Sequence, residues 1–407
     1  MNVLYVSYDG MTDNLGQSQV IPYLIGLSKC GYSVTILSAE KAEAYNSRKS
    51  VIEALLAENN IRWSPIFYTS KPKVISTIKD VWMLKKTARK LHAENKFAII
   101  HCRSYISALV GVYMKRKFKV SFIFDMRGFW ADERIEGNIW RKDSIISKIL
   151  YKYFKKKELQ YLQQADYTIS LTHTGKEEIL SWNVFKDNKP RIEVIPCCAD
   201  LSLFSRTNLQ ETVEAVKNKL GIANTKKVVS YLGSLGTWYM LDEMLDFFKV
   251  YQQKNTQAVF LFITSDNESF IKNAAQQKNI ATTDIIVKKA NREQVPEFLS
   301  VSDVSVFFVK PVYSKLASSP TKMGEIMAMG IPIVCNDKVG DVTAIVADTM
   351  CGVVVSDFTS LDYTKAVDCL ETMTFDSSKI IAGSNAYYSL DMGIERYKKV
   401  FDYLSAN

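Results

Sequence analysis

A short polar segment at residues 318–325, Ser-Ser-Pro-Thr-Lys-Met-Gly-Glu, has the residue types needed to hold a phosphate group. A helical pattern follows over residues 321–329, with Ser319 suited to the N-cap position and Pro320 to the first helical position. The free N–H groups and the positive dipole end at the start of a helix attract phosphate. The pattern therefore predicts an anion site where this helix begins.

Side chains of the same segment would complete such a site. Lys322 adds a mobile cation, and the hydroxyl groups of Ser318, Ser319 and Thr321 add neutral donors. Glu325, one turn further along, could accept hydrogen bonds from the hydroxyls of a ribose. The alternative is an ordinary capped amphipathic helix with Lys322 and Glu325 in solvent, and the residues alone do not decide between the two.

A second cluster follows the apolar run at residues 121–125 and combines charged and aromatic side chains, namely Asp125, Arg127, Trp130 and Asp132. In open α/β sheets, ligand contacts lie just past the carboxyl ends of the strands. The charged side chains of Asp125, Arg127 and Asp132 could therefore contact a ligand at the end of this strand. The alternative is a loop anchored by Trp130 and held together by Arg–Asp pairs.

Two further polar loops follow apolar runs in the first half of the chain. The turn at residues 9–19 contains Gly16 and Gln17, and residues 101–104 contain His101 and Arg103. Gly16 would let the backbone approach a substrate closely. The turn lacks the G-x-G-x-x-G pattern, so NAD is not predicted. A histidine that is merely hydrogen-bonded is at least as common at a position like His101.

The elements that must position these loops alternate between short apolar runs and helical patterns, an order that gives parallel sheets with helices on both faces. Strands are predicted at residues 2–8, 33–38, 98–102, 121–125, 167–171 and 191–195, and again at 227–232, 258–264, 284–287, 304–309 and 331–336. Helices are predicted at residues 17–29, 160–165, 240–252, 294–301, 321–329 and 394–404, among others.

The alternation restarts near residues 200–208, which divides the chain into two similar parts. We therefore predict an α/β fold in which two Rossmann-like domains face each other across a cleft. The expected domains are residues 1–200 and 201–385, and residues 386–407 are expected to form a C-terminal helix that is a candidate to cross back to the first domain.

The polar segment at 318–334 and two other stretches together resemble family 4 of the retaining glycosyltransferases, which have the GT-B fold. Residues 194–204 and 296–304 are similar to the strand-exit and helix-to-strand segments of that family. The resemblance extends over nearly the whole chain. It implies an acceptor-side domain at 1–200 and a domain for the donor nucleotide at 201–385.

The resemblance also implies roles for individual residues. In the family, the helix start at 321 holds the diphosphate of a nucleotide sugar, and a glutamate at the place of Glu325 holds the ribose. The cluster around Arg127 is similar to a Tyr-Glu-x-Arg-x-Phe-Trp-x-Asp segment of a bacterial branch. We therefore expect catalytic roles for Arg127, Lys322 and Asp125, donor binding by Ser318, Ser319, Thr321, Lys322, Glu325, Gly233 and Ser234, and acceptor-side positions for Gly16, Gln17, Arg103, Trp130 and Asp132.

Three departures from the family pattern are evident. Ala317 stands where the family often has the first glutamate of a Glu-x7-Glu pair. The loop at residues 233–239 has no Arg or Lys to clamp phosphate, so Lys322 would carry more of the phosphate charge. The histidine that commonly follows the fourth strand of the first domain is missing as well.

Charge is unevenly distributed along the 407 residues. Residues 1–200 contain 31 Lys and Arg against 20 Asp and Glu, whereas the remainder contains 21 against 23. A basic half suggests an anionic partner, and a membrane surface or a phosphate-linked acceptor suits a sugar transferase better than nucleic acid. Residues 141–160 combine isoleucines with Lys148, Lys152 and Lys155–157 in a pattern that suits an anionic lipid surface. A helix packed on the core by its apolar stripe is the more common alternative.

Several features bear on location. No stretch approaches the roughly 20 apolar residues needed to span a bilayer, and the N-terminal MNVLYVSYDG has neither the basic region nor the cleavage site of a signal peptide. Seven cysteines without metal-binding spacings are typical of a reducing cytoplasm. We expect a cytoplasmic protein, peripheral on the inner face of the cell membrane if its acceptor is lipid-linked.

The predicted reaction is transfer of a sugar from a nucleotide-diphosphate donor to a hydroxyl group of a carbohydrate or lipid-linked acceptor. Retention of the anomeric configuration, and a role in bacterial cell-surface polysaccharide or glycoconjugate synthesis, follow from the resemblance only. No metal or other cofactor is expected. Two alternatives stay open, a sugar-nucleotide-binding scaffold without catalysis and a sugar-nucleotide epimerase on the same fold.

Overall fold

A computed structural model describes residues 1–406, in which the strands form two wholly parallel sheets. The strand order is β3-β2-β1-β4-β5-β6-β7 in the first sheet and β10-β9-β8-β11-β12-β13 in the second. The strands are β1 Asn2–Ser7, β2 Ser33–Glu40, β3 Arg62–Phe67, β4 Ile99–Arg103, β5 Ser121–Asp125, β6 Tyr167–Ser170, β7 Ile192–Val194, β8 Val228–Leu232, β9 Val259–Ile263, β10 Ile285–Lys288, β11 Val304–Val306, β12 Ile333–Asn336 and β13 Gly352–Val355.

Helices connect the strands, as the right-handed crossovers of parallel sheets require. They are α1 Asn14–Gln19, α2 Ile21–Lys29, α3 Ala42–Glu58, α4 Ile75–Asn95, α5 Ser104–Phe118, α6 Trp130–Glu136, α7 Ile145–Gln164, α8 His173–Ser181, α9 Val213–Lys219, α10 Leu241–Lys254, α11 Glu268–Gln277, α12 Val295–Leu299, α13 Thr321–Ala328, α14 Val342–Thr349, α15 Ser360–Thr372, α16 Ser377–Tyr388 and α17 Leu390–Ala406. The predicted fold class, two Rossmann-like α/β domains, is confirmed.

The chain divides into two compact units. The first comprises residues 1–198 and 316–318 together with the C-terminal segment from Leu390 on, and the second comprises residues 199–315 and 319–389. In the first unit, α17 packs on α2, and its Tyr397 and Phe401 are buried with the core of the first sheet. In the second unit, every residue of β8 and β9 is buried, so the central strands form the core of that unit.

Two strands that the sequence pattern did not predict lie at sheet edges. Strand β3, at one edge of the first sheet, contains Pro65 and is mostly half-exposed. Strand β13 lies at an edge of the second sheet and is also largely half-exposed. Edge strands tolerate proline and bury few side chains, so they lack the continuous apolar run by which buried parallel strands are recognised.

The single helix predicted over residues 17–29 is wrong in detail, because the chain bends at Val20 and forms α1 and α2. Pro22 lies in the first turn of α2, where its missing N–H group is tolerated, whereas it could not continue a helix from α1. No helix in the described part of the chain is long and apolar enough to cross a bilayer.

Helix α7 does not match the alternative of an apolar stripe packed on the core. Its inward residues include Phe154, Tyr161 and Leu162, whereas Ile145, Ile146 and Ile149 are more than 60% exposed. The isoleucines that gave the sequence its amphipathic pattern therefore face solvent in this chain.

Candidate functional site

Each sheet reverses its strand order once, and the predicted site residues collect at those two points. The reversal lies between β1 and β4 in the first sheet and between β8 and β11 in the second. At such a point the connections on either side of the crevice leave to opposite faces of the sheet, which opens a ligand position at the carboxyl ends of the strands. In the first unit, the loops that carry these residues follow β1, β4 and β5, and in the second unit they follow β8 and β11.

In the second unit, Lys322 has its ammonium group buried among aromatic rings. Lys322 lies in the first turn of α13 and is 9% exposed. Its Nζ donates a hydrogen bond to the Tyr231 hydroxyl at 2.9 Å and lies 3.5 Å from the centre of the Tyr239 ring. These three residues come from α13, β8 and the loop after β8, so the fold brings them together at the reversal point.

The electrostatic state of Lys322 favours anion binding. Burial lowers the pKa of the Lys322 ammonium well below its ordinary value, and the negative charges of Glu325 and Asp266 offset the effect only in part. The faces of the aromatic rings supply some stabilisation of the cation. A bound anion would supply more and would raise this pKa, so the lysine is poised for a negatively charged ligand.

The loop at residues 233–239 is held tightly beside Lys322. Gly233 has a φ of +98°, a backbone conformation that favours glycine, and a Cβ atom there would lie 3.2 Å from Lys322 Nζ and would crowd the lysine. Ser234 donates a hydrogen bond to Asp266 Oδ1 at 3.0 Å, and Leu235 N donates to Asp266 Oδ2 at 2.6 Å. Asp266, which sequence reasoning missed, therefore fixes the loop from the end of β9.

Glu325 lies one turn beyond Lys322, as its spacing requires, and is 8% exposed. Its Oε1 accepts a hydrogen bond from Arg292 Nη1 at 2.9 Å. Burial raises the pKa of Glu325, and the positive charge of Arg292 offsets that rise only in part. Glu325 is thus a buried carboxylate that pairs with Arg292, and not a solvated surface residue.

The expected capping of α13 is wrong. The helix begins at Thr321, and Pro320 occupies the N-cap position with a ψ of 106° and no side-chain cap. Ser319 is therefore one residue too early to cap the helix. Ser319 and Thr321 are both half-buried, whereas Ser318 belongs to the first unit. The uncapped first turn leaves backbone N–H groups for another acceptor.

Ala317 also belongs to the first unit and is 2% exposed. A Cβ atom built on Gly175 would lie 2.8 Å from the Ala317 Cβ. The buried methyl group of Ala317 therefore packs closely against the backbone of Gly175, at the position where the resemblance suggested a glutamate.

A second buried lysine was missed by sequence reasoning, which named Lys322 as the one cation near the loop. Lys315 is 5% exposed, and its Nζ lies 3.7 Å from the centre of the Trp238 ring. Trp238 and Tyr239 are consecutive residues of the loop, and each covers one lysine. No motif marks Lys315, because the contact joins residues 77 positions apart in the sequence.

In the first unit, Asp125 is the centre of a buried network at the end of β5. Its Oδ2 accepts a hydrogen bond from the Tyr397 hydroxyl at 3.2 Å and lies 3.4 Å from His101 Nε2. Burial acts to raise the pKa of Asp125, but the charge of Arg127 and the contact with His101 outweigh it, so the pKa lies below its ordinary value. Asp125 is therefore expected to be ionised at neutral pH.

Arg127 is held in place on two sides. Its Nη1 lies 3.8 Å from Asp125 Oδ1, and its Nη2 donates to Cys197 Sγ at 3.1 Å. The residue has a φ of +58°, which is unusual for arginine and costs conformational energy. A strained, mostly buried arginine beside an ionised aspartate is a common feature of binding and catalytic sites.

Trp130 and Asp132 are used largely by the first unit itself. The Trp130 ring stacks on Tyr105 at a centroid distance of 5.6 Å. Asp132 accepts hydrogen bonds from Tyr151 and Lys155 of α7, both at 2.8 Å. These contacts match the alternative of an anchored loop, although its partners are a lysine and a tyrosine and not arginine.

The turn that contains Gly16 and Gln17 is fixed by a buried carboxylate that sequence reasoning missed. Glu40 accepts hydrogen bonds from the backbone N–H groups of Met11 and Thr12 at 2.7 and 3.1 Å. A Cβ atom on Gly16 would lie 2.2 Å from the Gly10 carbonyl oxygen. Gly16 is therefore required by the crossing of the chain itself, and Gln17 donates to the Thr12 carbonyl at 3.0 Å.

Arg103 ends β4 and lies in the same register row of the sheet as Ser7 and Asp125. Its Nε lies 3.5 Å from Asp9 Oδ2 across the reversal point, and the residue is 4% exposed. Within residues 1–406 there is no group of three or more His, Cys, Asp or Glu side chains arranged to hold a metal ion. Independence from metals stays a prediction.

Comparison with protein families covers most of the chain. Residues 21–203 match the family model of Glycosyltransferase Family 4, and residues 212–383 match that of Glycosyl transferases group 1. The chain is a family 4-like glycosyltransferase with the GT-B fold. No curated protein matches the sequence.

Solved structures share the fold of this glycosyltransferase over nearly its full length. Sucrose-phosphate synthase from Thermosynechococcus elongatus superposes with a TM-score of 0.72 at 15% identity, covering 100% of this chain and 99% of the other. HepE from Anabaena in complex with UDP and glucose gives a TM-score of 0.67 at 13% identity, with 99% of both chains covered. A putative UDP-N-acetylglucosamine 2-epimerase from Listeria monocytogenes gives a TM-score of 0.55 at 11% identity, covering 98% of this chain and 94% of the other.

Proposed function

We propose that this glycosyltransferase transfers a sugar from a nucleoside diphosphate donor to a hydroxyl group of a carbohydrate or lipid-linked acceptor, with retention of the anomeric configuration. We further propose a role in the synthesis of bacterial cell-surface polysaccharide or glycoconjugates. The observation that carries the proposal is the buried Lys322 at the start of α13, which has no side-chain cap and lies beside the loop that begins with Gly233.

The donor diphosphate fits the chemistry of this place. Its oxygens would accept hydrogen bonds from the backbone N–H groups of the first turn of α13 and from the hydroxyls of Ser319 and Thr321. Lys322 would give up its contacts with the aromatic rings for a full ion pair, and Lys315 provides a second buried cation beside Trp238. HepE, which shares the fold, has been solved with UDP and with glucose.

The ribose of the donor would be held by Glu325. Its carboxylate already receives one hydrogen bond from Arg292, and a carboxylate has room for several more donors. Two neighbouring ribose hydroxyls are suitable donors. The backbone of Gly233 and Ser234 would line the same donor position, because the Asp266 contacts hold that loop beside Lys322.

Transfer requires one bond to break and one to form at the anomeric carbon. The bond from that carbon to the phosphate oxygen breaks, the acceptor oxygen bonds to the same face, and the acceptor proton passes to a phosphate oxygen. Lys322 would stabilise the charge that grows on the departing diphosphate. The diphosphate itself acts as the base in this scheme, so no nucleophilic carboxylate and no metal are needed.

The acceptor would be bound by the first unit. Asp125 is an ionised hydrogen-bond acceptor suited to a sugar hydroxyl, and Arg127 beside it is a fixed donor. Gly16 and Gln17 shape the neighbouring turn. Trp130 and Asp132 support the loop that presents Arg127 through their contacts with Tyr105 and α7.

We also propose that the first unit rests on an anionic membrane at the inner face of the cell membrane. Six apolar residues near the starts of α4 and α7 are between 60 and 74% exposed, namely Ile75, Ile78, Trp82, Ile145, Ile146 and Ile149. Both helices pack on α5. Helix α4 follows β3, so its start lies at the edge where that strand ends, and α7 follows α6 in the connection from β5 to β6. Exposed lysines accompany them, which suits anionic lipid.

Vesicle binding tests the membrane proposal. The protein should bind vesicles containing anionic phosphatidylglycerol, and high salt should weaken binding because charges are screened over about 10 Å at 0.1 M. Replacing Ile145, Ile146 and Ile149 together with serine should reduce binding, whereas Val51→Ser, on the exposed face of α3, serves as the matched control. Equal binding of both variants and the wild type would contradict this surface. Lys155 is unsuitable as a target, because it pairs with Asp132.

The function itself is tested by a thermal-shift panel of UDP-, GDP-, ADP- and CMP-sugars, since a bound ligand raises stability by mass action. The stabilising donor is then incubated with candidate acceptors, and the anomeric configuration of the product is read by NMR. Release of nucleoside diphosphate with a new retained glycosidic bond is the expected result. Conversion of the donor sugar without an acceptor would indicate an epimerase, and binding without turnover would indicate a scaffold.

A further inference from the structure

Arg103 stands out among the buried charged groups because its guanidinium is not satisfied by the protein. The residue is 4% exposed, and Nε and Nη1 are buried without a hydrogen-bond partner among residues 1–406. The Asp9 carboxylate is near enough to pair with it, at 3.5 Å from Nε, but makes no hydrogen bond. Buried donors in folded proteins are nearly always paired, so this group calls for a partner that the chain does not supply.

The position of Arg103 is that of a ligand contact. It is the last residue of β4, at the reversal point of the first sheet, with Ser7 of β1 and Asp125 of β5 on either side in register. Asp125 is already engaged by Tyr397, His101 and Arg127, so it does not satisfy Arg103. The Asp9 side chain is 45% exposed and is therefore free to turn away.

The start of α5 adds a second anion-attracting feature at the same place. Arg103 is the N-cap residue of α5 and provides no side-chain cap. The Ser107 hydroxyl donates back to the Arg103 carbonyl, so it does not cap the first-turn N–H groups. A 15-residue helix carries a positive dipole end here, and its N-cap residue carries the guanidinium whose Nε and Nη1 have no hydrogen-bond partner.

We propose that Arg103 and the first turn of α5 bind a phosphoryl group on the acceptor. The proposal rests on the glycosyl transfer proposed above and narrows its acceptor to a phosphate-bearing molecule. A guanidinium presents pairs of N–H groups whose geometry matches two phosphate oxygens, and helix N–H groups bind the same anion. Asp9 partly neutralises Arg103 in the empty protein and turns to solvent when phosphate binds.

Calorimetric titration of the full-length protein tests the assignment. The soluble probes are glucose 1-phosphate and glucose 6-phosphate, the lipid-type probe is a short-chain isoprenyl-diphosphate N-acetylglucosamine, and the controls are glucose and glucuronic acid. All titrations contain saturating UDP, which occupies the phosphate site of α13. If the soluble sugar phosphates bind more tightly than the lipid-type probe, the acceptor phosphate belongs to a soluble molecule, and the reverse order indicates a lipid-linked acceptor. Binding of either class above the controls supports the phosphate site.

Arg103→Gln should weaken binding of the preferred phosphorylated probe by about 10- to 100-fold, the range expected for loss of a charged donor. UDP affinity should stay unchanged. A failure of UDP to bind would therefore contradict the donor proposal, whereas a failure of the phosphorylated probe to bind would contradict only the role of Arg103. Arg103→Lys keeps the charge but loses the paired donors and should be intermediate. Asp9→Asn removes the competing carboxylate, so it should bind the probe as tightly as the wild type or more tightly, and it should remain folded.

Four outcomes would overturn the proposal. In the first, the wild-type protein binds no phosphorylated probe at millimolar concentration, and in the second, Arg103→Gln binds the probe as tightly as the wild type does. In the third, Arg103→Gln weakens the binding of glucose as much as that of the phosphorylated probe, and in the fourth, it weakens the binding of glucuronic acid as much. If Arg103→Gln does not fold, Asp9→Asn decides. If Asp9→Asn weakens probe binding, Arg103 serves to pair with Asp9 and does not bind the phosphate of a ligand.

Discussion

The two reversal points of the molecule hold their cations in opposite ways. In the first unit, Arg103 and Arg127 lie beside carboxylates, at 3.5 Å from Asp9 and 3.8 Å from Asp125. In the second unit, Lys322 lies against aromatic rings, 3.5 Å from the centre of Tyr239. The carboxylates of the first unit offset the charge of the two arginines, only in part at Arg103, whereas the second unit leaves a buried ammonium whose pKa is lowered by burial.

The difference shows what each place is built to bind. A guanidinium stays charged in any environment, so pairing it with carboxylates yields a fixed polar surface for hydroxyl groups and a local anion. A lysine can lose its proton when buried and regain it when an anion arrives. In the second unit, a bound anion would therefore favour the protonated form of Lys322. This suits a donor whose negative charge grows during the reaction.

The largest expected effect is on turnover of Lys322→Ala. Loss of one preorganised donor to the departing diphosphate should lower kcat by about 10²–10³, or about 2.7–4 kcal/mol. Donor affinity should fall less, because the contact strengthens as the bond breaks. Thermal stability should not decrease, since the change removes a buried charge. Lys310→Ala, an exposed lysine near the same loop, is the control and should behave like the wild type.

Asp125→Asn should act on stability, unlike Lys322→Ala. The folded pKa of Asp125 lies below its unfolded value, so its contribution is present at neutral pH and is lost as pH falls through the folded pKa. We expect a loss of about 1–3 kcal/mol at pH 7, as for a broken buried charged network. Urea unfolding followed by tryptophan fluorescence reports mainly on the first unit, which holds five of the six tryptophans. A variant as stable as the wild type at pH 7 would contradict this.

Glu325→Gln should affect nucleotide affinity more than kcat, whereas Lys322→Ala should affect kcat more than affinity. A ribose contact changes little during reaction, so nucleotide affinity should weaken by about tenfold while kcat changes less. Titration of the nucleoside diphosphate and steady-state kinetics on the same preparation measure both. A drop in kcat with unchanged affinity would assign Glu325 to the reacting sugar and not to the ribose.

The smallest effect is a fractional uptake of protons on donor binding. Because the pKa of Lys322 is lowered in the empty site and raised by diphosphate, the complex holds more protons, and affinity should fall as pH rises between these two values. Calorimetry in Pipes and Tris buffers measures the uptake. Lys322→Arg, which stays charged, should abolish it, and equal uptake by that variant would place the titrating group elsewhere.

Much of the fold could be predicted from local signals. Strands β1 and β8, at the two reversal points, are buried runs of mostly apolar residues, and the start of α13 was expected at the observed Thr321. Lys322 and Glu325 lie three residues apart on one helix, so their proximity needed no tertiary information. The half-exposed edge strands β3 and β13 have no such run and were missed for that reason.

The rest of the site depends on contacts between residues distant in sequence. Glu40 holds the turn at Met11, Asp266 holds the loop at Leu235, and Lys315 covers Trp238, and no motif joins these residues. Sequence spacing also could not show that Asp132 would pair with Lys155 of α7. The exposed isoleucines of α7 reversed the usual inference from an apolar stripe, since only packing decides which face is inward.

The central claim is that a nucleoside diphosphate binds at the start of α13 and beside the loop after β8. Hydrogen exchange of the full-length protein, measured by mass spectrometry with and without saturating UDP or whichever nucleoside diphosphate the panel selects, tests it directly. We expect slower exchange in peptides that cover residues 233–239 and 319–325, and loss of that protection in Lys322→Ala. Protection confined to other segments, or equal protection in the variant, would contradict it.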